Sequence, residues 1–344
     1  MADDGDTFHG DHGYAQYYIP PKPRKYPLIM WHGMGQSGKC FESTPDGRDG
    51  FQMIFAQRDW SVYIIDQARW GRAGRTQAKP ADPPPEILTK EHAVWNMFRL
   101  GVWTPPGKAS FFPGIQFPQE QYAIDQLFRQ EIPEGGGSPW TYDYRVFMGK
   151  TMAKLFEATD GGILITHSNS GQYGWHTAIE APDLVKAIVA FEPGAFVFPE
   201  GEAPPPIPDG GDPQNIFANE PLMVSQNEFA KIVKVPILII MGDNIPTEPS
   251  EVFELDFWRM CNIRTGQFVE AVNRHGGDVR LVYLPKIGIK GNTHFAFSDL
   301  NNIQIANLVE SYLREKRLDR RKTHHRGPYR MEKGKGIPFI KSRQ

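Results

Sequence analysis

The chain has 344 residues, 40% of them hydrophobic and 23% charged, a balance that buries a large core and excludes a wholly disordered polymer. α/β folds often run ~200–250 residues as one unit, so one core domain with insertions is expected rather than two equal domains. The formal net charge is −2, but from residue 314 to 344 twelve Lys/Arg face three Asp/Glu, so the tail carries +9 and the remainder −11. A tail of this kind, without a nucleic-acid motif, reads as a solvated chain end, and no nucleic-acid partner is expected. Only Cys40 and Cys261 are present, which excludes a disulfide framework or a cysteine-rich metal site and leaves one bridge open. No apolar run reaches the ~18–20 residues of a membrane span, and the first twenty residues lack a signal-peptide core. A soluble protein is expected, cytoplasmic if the chain is full length and periplasmic or secreted if a leader was removed.

Short apolar runs recur along the chain at residues 27–31 (PLIMW), 61–65 (SVYII), 162–166 (GILIT), 187–191 (AIVAF), 235–241 (VPILIIM) and 279–284 (VRLVYL). Continuous runs rich in Ile and Val suit strands covered on both faces of a parallel sheet. Helical patterns at residues 51–57, 171–181, 254–274 and 302–316 alternate with them, which predicts a doubly wound, mostly parallel α/β sheet. The core is expected at residues 12–70 and 141–316, with a basic tail at 317–344. Residues 71–140 carry four prolines between Pro80 and Pro85 and then many aromatics; a long segment without core strands reads as a lid. Its aromatics, Trp103 and Phe112 among them, either line a substrate pocket or form the lid's own small core. Residues 195–230 form a second, proline-rich insertion within the core.

The strand GILIT runs directly into His167-Ser168-Asn169-Ser170-Gly171 and then into a helix. That is the strand–turn–helix setting of a nucleophile elbow, usually G-x-S-x-G, in which small residues flank the serine so that strand and helix approach closely. Around Ser168 those positions hold Thr166 and Ser170, both small; around Ser170 one of them would be the large Gln172. Ser168 is therefore the favoured nucleophile, against the alternative that it merely caps the helix. After the first sheet-core strand comes His32-Gly33-Met34-Gly35-Gln36-Ser37-Gly38. A backbone N–H from such a loop, with the N–H that follows the nucleophile, stabilises a tetrahedral oxyanion; the assigned donors are the main chains of Met34 and Asn169.

A serine hydroxyl needs an imidazole to take its proton, and the imidazole needs a carboxylate to fix its tautomer. His294 lies in a loop after the last strand and before the last helix, where the base of a Ser–acid–His order belongs; His275 precedes a strand and would face the wrong end of the sheet. The acid position counted from Gly242 falls on Ile245, whereas residues 187–191 end directly in Glu192. Glu192 is the preferred acid and Asp243 the substitute.

Together these segments resemble a group of bacterial α/β-hydrolase serine esterases whose catalytic glutamate follows the sixth strand. The resemblance rests on KYPLIMWHG, ESTPDGRDG, YIIDQARWGRAG, ILITHSNSG, VAFEPG, IIMGDNIP and GIKGNTHFAFSDLNN, in the group's order over roughly residues 12–316. It implies Ser168, Glu192 and His294 as the triad and Met34 and Asn169 as oxyanion donors. One departure is Asn169, where the group often has glutamine, which a backbone donor tolerates. Group members are frequently exported. The function expected is hydrolysis of a moderately sized, largely apolar carboxylic ester through an acyl-enzyme. A lactonase using the same triad is the alternative, and from another class a non-catalytic ligand-binding homologue. The partner is a small-molecule ester or lactone; no metal cluster, nicotinamide fingerprint or phosphate loop stands out, so no cofactor is implied. Oligomeric state is not readable.

Overall fold

The computed structural model describes residues 9–74, 90–132, 139–208 and 211–321. Its principal elements in chain order are β1 (Tyr14–Tyr18), β2 (Leu28–Trp31), α1 (Phe51–Ala56), β3 (Val62–Asp66), α2 (Glu91–Met97), α3 (Gln121–Gln130), α4 (Tyr142–Ala158) and β4 (Gly162–His167). There follow α5 (Ser170–Glu180), β5 (Val185–Phe191), α6 (Gln226–Val233), β6 (Ile237–Met241), α7 (Phe253–Arg274), β7 (Val279–Tyr283) and α8 (Asn302–Glu315). The seven strands form one sheet in the order β1-β3-β2-β4-β5-β6-β7. β1 runs antiparallel to β3 and every other pair is parallel.

Alternation of side chains along each strand divides the core in two. Leu28 and Met30 of β2, Ile163 and Ile165 of β4 and Leu238 and Ile240 of β6 pack with α1 and α8 on one face. Ile29, Leu164, Ile237 and Ile239 pack with α4, α5, α6 and α7 on the other. Both faces are covered, which is why the parallel strands read as unbroken apolar runs.

The predicted strands and helices are all present. Outside the two insertions there are two further principal elements, β1, a partly exposed edge strand without a buried face, and α4. Helix α4 starts at Thr141, whose side chain accepts from the Tyr144 N–H, and buries Tyr144, Met148, Met152 and Phe156 at successive four-residue steps.

Segment 71–140 contributes α2, α3 and a two-residue ladder of Gly101–Val102 with Ser110–Phe111; the proline cluster at residues 80–85 lies outside the described residues. Trp95 packs on Phe111 with ring centroids 4.6 Å apart and edge-on to Trp103 at 6.2 Å. Phe112 and Trp103 are partly buried against the same cluster, which is continuous with the sheet's own core. Segment 195–230 holds a short parallel ladder, Val197–Pro199 with Leu222–Val224, and then α6, opened by a capping box between Ser225 and Glu228. Cys40 and Cys261 are free and buried. The start of the basic tail is not a loose end: the Lys25 N–H donates to Arg320 O at 2.8 Å, and Arg321 Nη2 to Asp59 Oδ2 at 2.6 Å. Residues 322–344 lie outside the described residues. Among the described residues no helix is long and apolar enough to cross a membrane.

Candidate active site

β4 ends at His167 and α5 begins at Ser170, so the chain must reverse within two residues. Ser168 does this with φ 53°, a left-handed conformation rare for residues with a Cβ. The turn is held by Ser168 N–H donating to Phe191 O at 2.9 Å and by Ser168 O accepting from Gly171 N–H at 3.0 Å. The two serines are differently placed. Ser170 is fully buried, and its hydroxyl donates to Trp31 O at 2.9 Å and accepts from the His167 N–H at 2.9 Å. Ser168 is partly exposed.

The loop after β2 lies against this turn. A Cβ on Gly33 would stand 3.0 Å from the Ser168 Cβ and 2.9 Å from His167 Nδ1, so glycine is what lets the two backbones meet. His32 fixes the loop from behind. Its Nε2 accepts from the Gln67 N–H at 3.2 Å, which leaves the proton on Nδ1 for Gly33 O at 2.7 Å. Burial pushes its pKa down to about 4, so the ring stays neutral. Met34 is 45% exposed beside the turn. Asn169 sits at the N-cap of α5, where backbone N–H groups lack intrahelical partners. Its side chain is anchored through Oδ1, which accepts from Gln172 Nε2 at 2.5 Å.

In the ladder of β4 with β5, His167 pairs with Phe191, so Ser168 and Glu192 leave the sheet at the same level on adjacent strands. Glu192 is also left-handed, with φ 43°, and its carboxylate is buried. Oε1 accepts from Gly242 N–H at 2.6 Å and from Arg99 Nη2, while Oε2 is 2.5 Å from His294 Nδ1. A Cβ on Gly242 would fall 2.6 Å from that Oε1; glycine makes room for the carboxylate. Burial alone would raise the Glu192 pKa, but the Arg99 charge and the His294 contact outweigh it and bring it to about 2. His294 lies after β7, its N–H donating to Phe98 O at 3.0 Å and its ring 4.3 Å from Trp258 and 5.7 Å from Phe98 between centroids. Burial lowers its pKa below the usual histidine value, opposed by Glu192.

Ser168, Glu192 and His294 are thus gathered at the carboxyl ends of β4, β5 and β7. Asp243 is close by but differently engaged: its Oδ1 accepts from Asn244 N–H and its Oδ2 from Gly291 N–H, each at 2.8 Å, so it braces the loop that carries His294. Trp103 and Phe112 pack in the aromatic cluster of the insert. Glu192 follows the fifth strand of this sheet in chain order. Two residues escaped the sequence reading. Asp299 is buried and accepts from Thr293 N–H, Thr293 Oγ1 and Asn292 Nδ2 at 2.7, 2.8 and 2.9 Å, tightening the His294 loop; burial pushes its pKa up to about 7. Arg99 is fully buried, left-handed at φ 53°, and spans Glu192 and Asp243 O, the latter at 2.9 Å from its Nε. The signal for Asp299 was its place in HFAFSD; for Arg99, an isolated basic residue among aromatics.

No family model matches the chain. The atomic-resolution structure of a novel bacterial esterase superposes on it with a TM-score of 0.71 at 28% identity, over 89% of this chain and 86% of that one. The chain has the α/β-hydrolase fold. A curated relative, "Probable secreted lipase phiG" of Fungal sp. (strain ATCC 74256), is 26% identical over 340 residues, 88% of this chain and 85% of that protein. One relative is named an esterase and the other a lipase, in line with the expectation of a carboxylic ester hydrolase. In open α/β sheets, ligands bind in the crevice outside the carboxyl ends of the strands, the edge on which Ser168, Glu192 and His294 lie in this α/β-hydrolase fold.

Proposed function

We propose that the chain is a serine hydrolase that cleaves a carboxylic ester through an acyl-enzyme. The observation that carries this reading is the buried His294 Nδ1–Glu192 Oε2 contact of 2.5 Å on the sheet edge that presents Ser168 on a left-handed turn. Glu192 accepts a hydrogen bond from the Nδ1–H, which keeps that proton on Nδ1 and so leaves Nε2 as the base. Nε2 takes the Ser168 proton as Oγ attacks the ester carbonyl, and the negative oxygen is held by the backbone N–H groups of Met34 and Asn169. His294 then protonates the departing alcohol. Water, deprotonated by the same imidazole, releases the acid in the second half. Phe98 and Trp258 pack on the His294 ring, and the substrate proposed is moderately sized and largely apolar. Ring opening of a lactone follows identical steps.

A fluorophosphonate probe tests the reading. It is expected to label Ser168 stoichiometrically and to leave a Ser168→Ala protein unlabelled. Turnover is then screened on esters and lactones of graded chain length. A folded protein that neither reacts with the probe nor turns over any member of the panel would be a binding homologue instead.

A further inference from the structure

A cavity of about 260 Å³ opens on the α4–α5 side of the sheet, lined by Trp140, Tyr142, Arg145, His176 and the strand segment from Pro221 to Val224, with Glu220 beside it. Its polar lining is unusual in being buried and largely unpartnered. Arg145 is 6% exposed; its Nε donates to Gln172 Oε1 at 2.8 Å and its guanidinium lies 4.2 Å over the Trp140 ring. Nη2 is buried without a hydrogen-bond partner. Among the described residues no carboxylate pairs with it, in contrast to Arg99 and Arg259, whose buried charges are matched by Glu192 and Asp256. His176 is 1% exposed, and neither ring nitrogen has a partner.

A buried cation without a counter-ion is costly, because it has given up water and received only a neutral amide and an aromatic face in return. Here burial pushes the Arg145 pKa down to about 10 and that of His176 down to about 4. The arginine therefore remains charged at neutral pH, and the imidazole is neutral, with one N–H to offer. Of the acidic groups near the cavity, Glu228 is taken by the Tyr142 hydroxyl at 2.8 Å and by Ser225, and Glu220 is exposed, where water screens its charge. The remaining wall is apolar: Pro221, Leu222, Met223 and Val224.

We propose that this cavity is a binding site for a small organic carboxylate, whose head pairs with the Arg145 guanidinium and whose short apolar tail lies along Pro221–Val224. A planar carboxylate matches the planar fork of an arginine, and a charge-assisted hydrogen bond is about twice as strong as a neutral one. The site is wired to the active-site turn: Arg145 bonds Gln172, and Gln172 bonds the side chain of Asn169, the residue after Ser168. Binding itself does not depend on the reading of Ser168 as a nucleophile.

The test is a ligand-observed NMR titration of the full chain with butanoate, and with butanamide as its neutral isostere. Butanoate is expected to bind saturably and butanamide at least about tenfold more weakly, the scale of a lost charge-assisted bond. Arg145→Gln removes the charge. Met223→Trp, at a half-buried position, fills the cavity while sparing Arg145, so a folding defect in one variant does not leave the proposal unanswered. Each is expected to weaken butanoate at least about tenfold, at an unchanged melt for Met223→Trp, while Glu220→Gln tightens it. No saturable binding, equal binding of acid and amide, or full affinity in a folded Met223→Trp protein would overturn the proposal; the last result would put the carboxylate elsewhere, such as the Ser168 crevice.

Discussion

Arg99 reaches across 93 residues of sequence to place its Nη2 on Oε1 of Glu192, with both side chains at most 2% exposed. The cation comes from the aromatic insert and the anion from the end of β5, so the insert helps set the charge of the sheet edge at which the proposed site lies. Its influence has a definite sign. The positive charge lowers the Glu192 pKa and also lowers that of His294. Removing it in Arg99→Met lets both rise; Glu192 stays ionised near neutrality, while His294 holds its proton to higher pH. Because the base must be neutral, the acidic limb of kcat/KM is expected to move to higher pH, with a loss of about 10–100-fold near neutrality. Arg99→Lys keeps the charge and should leave the limb near its original position. A profile identical in all three proteins would reduce Arg99 to a packing role.

The two serines of the turn are separable. Ser168→Ala should lower turnover by about 10³–10⁶ with the melting temperature held or raised. Ser170→Ala deletes a buried hydroxyl bonded to Trp31 and His167 and should cost about 1–3 kcal/mol of stability with a milder effect on rate. Denaturant unfolding alongside single-turnover kinetics distinguishes them. Collapse of turnover in Ser170→Ala alone would move the nucleophile by two residues.

Glu192→Gln preserves shape but takes from His294 the partner that fixes its tautomer. An analogous acid-to-amide change in a serine protease costs ~10⁴ in turnover, and at least ~10² is expected here. Asp243→Asn should instead loosen the loop at Gly291, since one of its two acceptor oxygens becomes a donor facing an N–H. Its loss should appear as lowered stability, with turnover per folded molecule largely kept. If Asp243→Asn is the crippling change at matched folding, the acid follows β6.

Trp103→Ala and Phe112→Ala distinguish a pocket wall from a small core. Their contacts within the aromatic cluster lead to an expected fall in melting temperature and an unaltered ranking of ester substrates. A changed ranking at an unchanged melting temperature would make them pocket residues.

What the sequence disclosed follows from how far each signal reaches along the chain. Strands β2 to β6 were legible because each is buried on both faces and so carries an apolar run, whereas the edge strand β7, only partly buried, was read from VRLVYL by its Val and Leu content. β1 was not, for YAQYY has no buried face to leave a mark. The site positions were legible where they sit on a strand end: Ser168 follows GILITH and Glu192 follows VKAIVAF. The preference for Glu192 over Asp243 came from counting along loops, and the hydrogen bond to His294 fell on Glu192. Arg99 could not be read in this way. Its meaning lies in a contact with a residue on another element, and nothing within ten positions of it hints at Glu192. α4 was a different omission, since the four-residue spacing of its buried side chains is present in the sequence.

Ser168 and Glu192 are both held at positive φ, 53° and 43°, where a side chain costs of order 1–3 kcal/mol each and glycine costs little. The protein therefore keeps the proposed catalytic residues under backbone tension at two adjacent strand ends. Glu192→Gly would leave the buried Arg99 charge unmatched and is expected to melt lower. Ser168→Gly, by contrast, is expected to melt at higher temperature than the parent while losing turnover, so selection for thermal endurance alone would steer this chain toward a more durable and inert molecule.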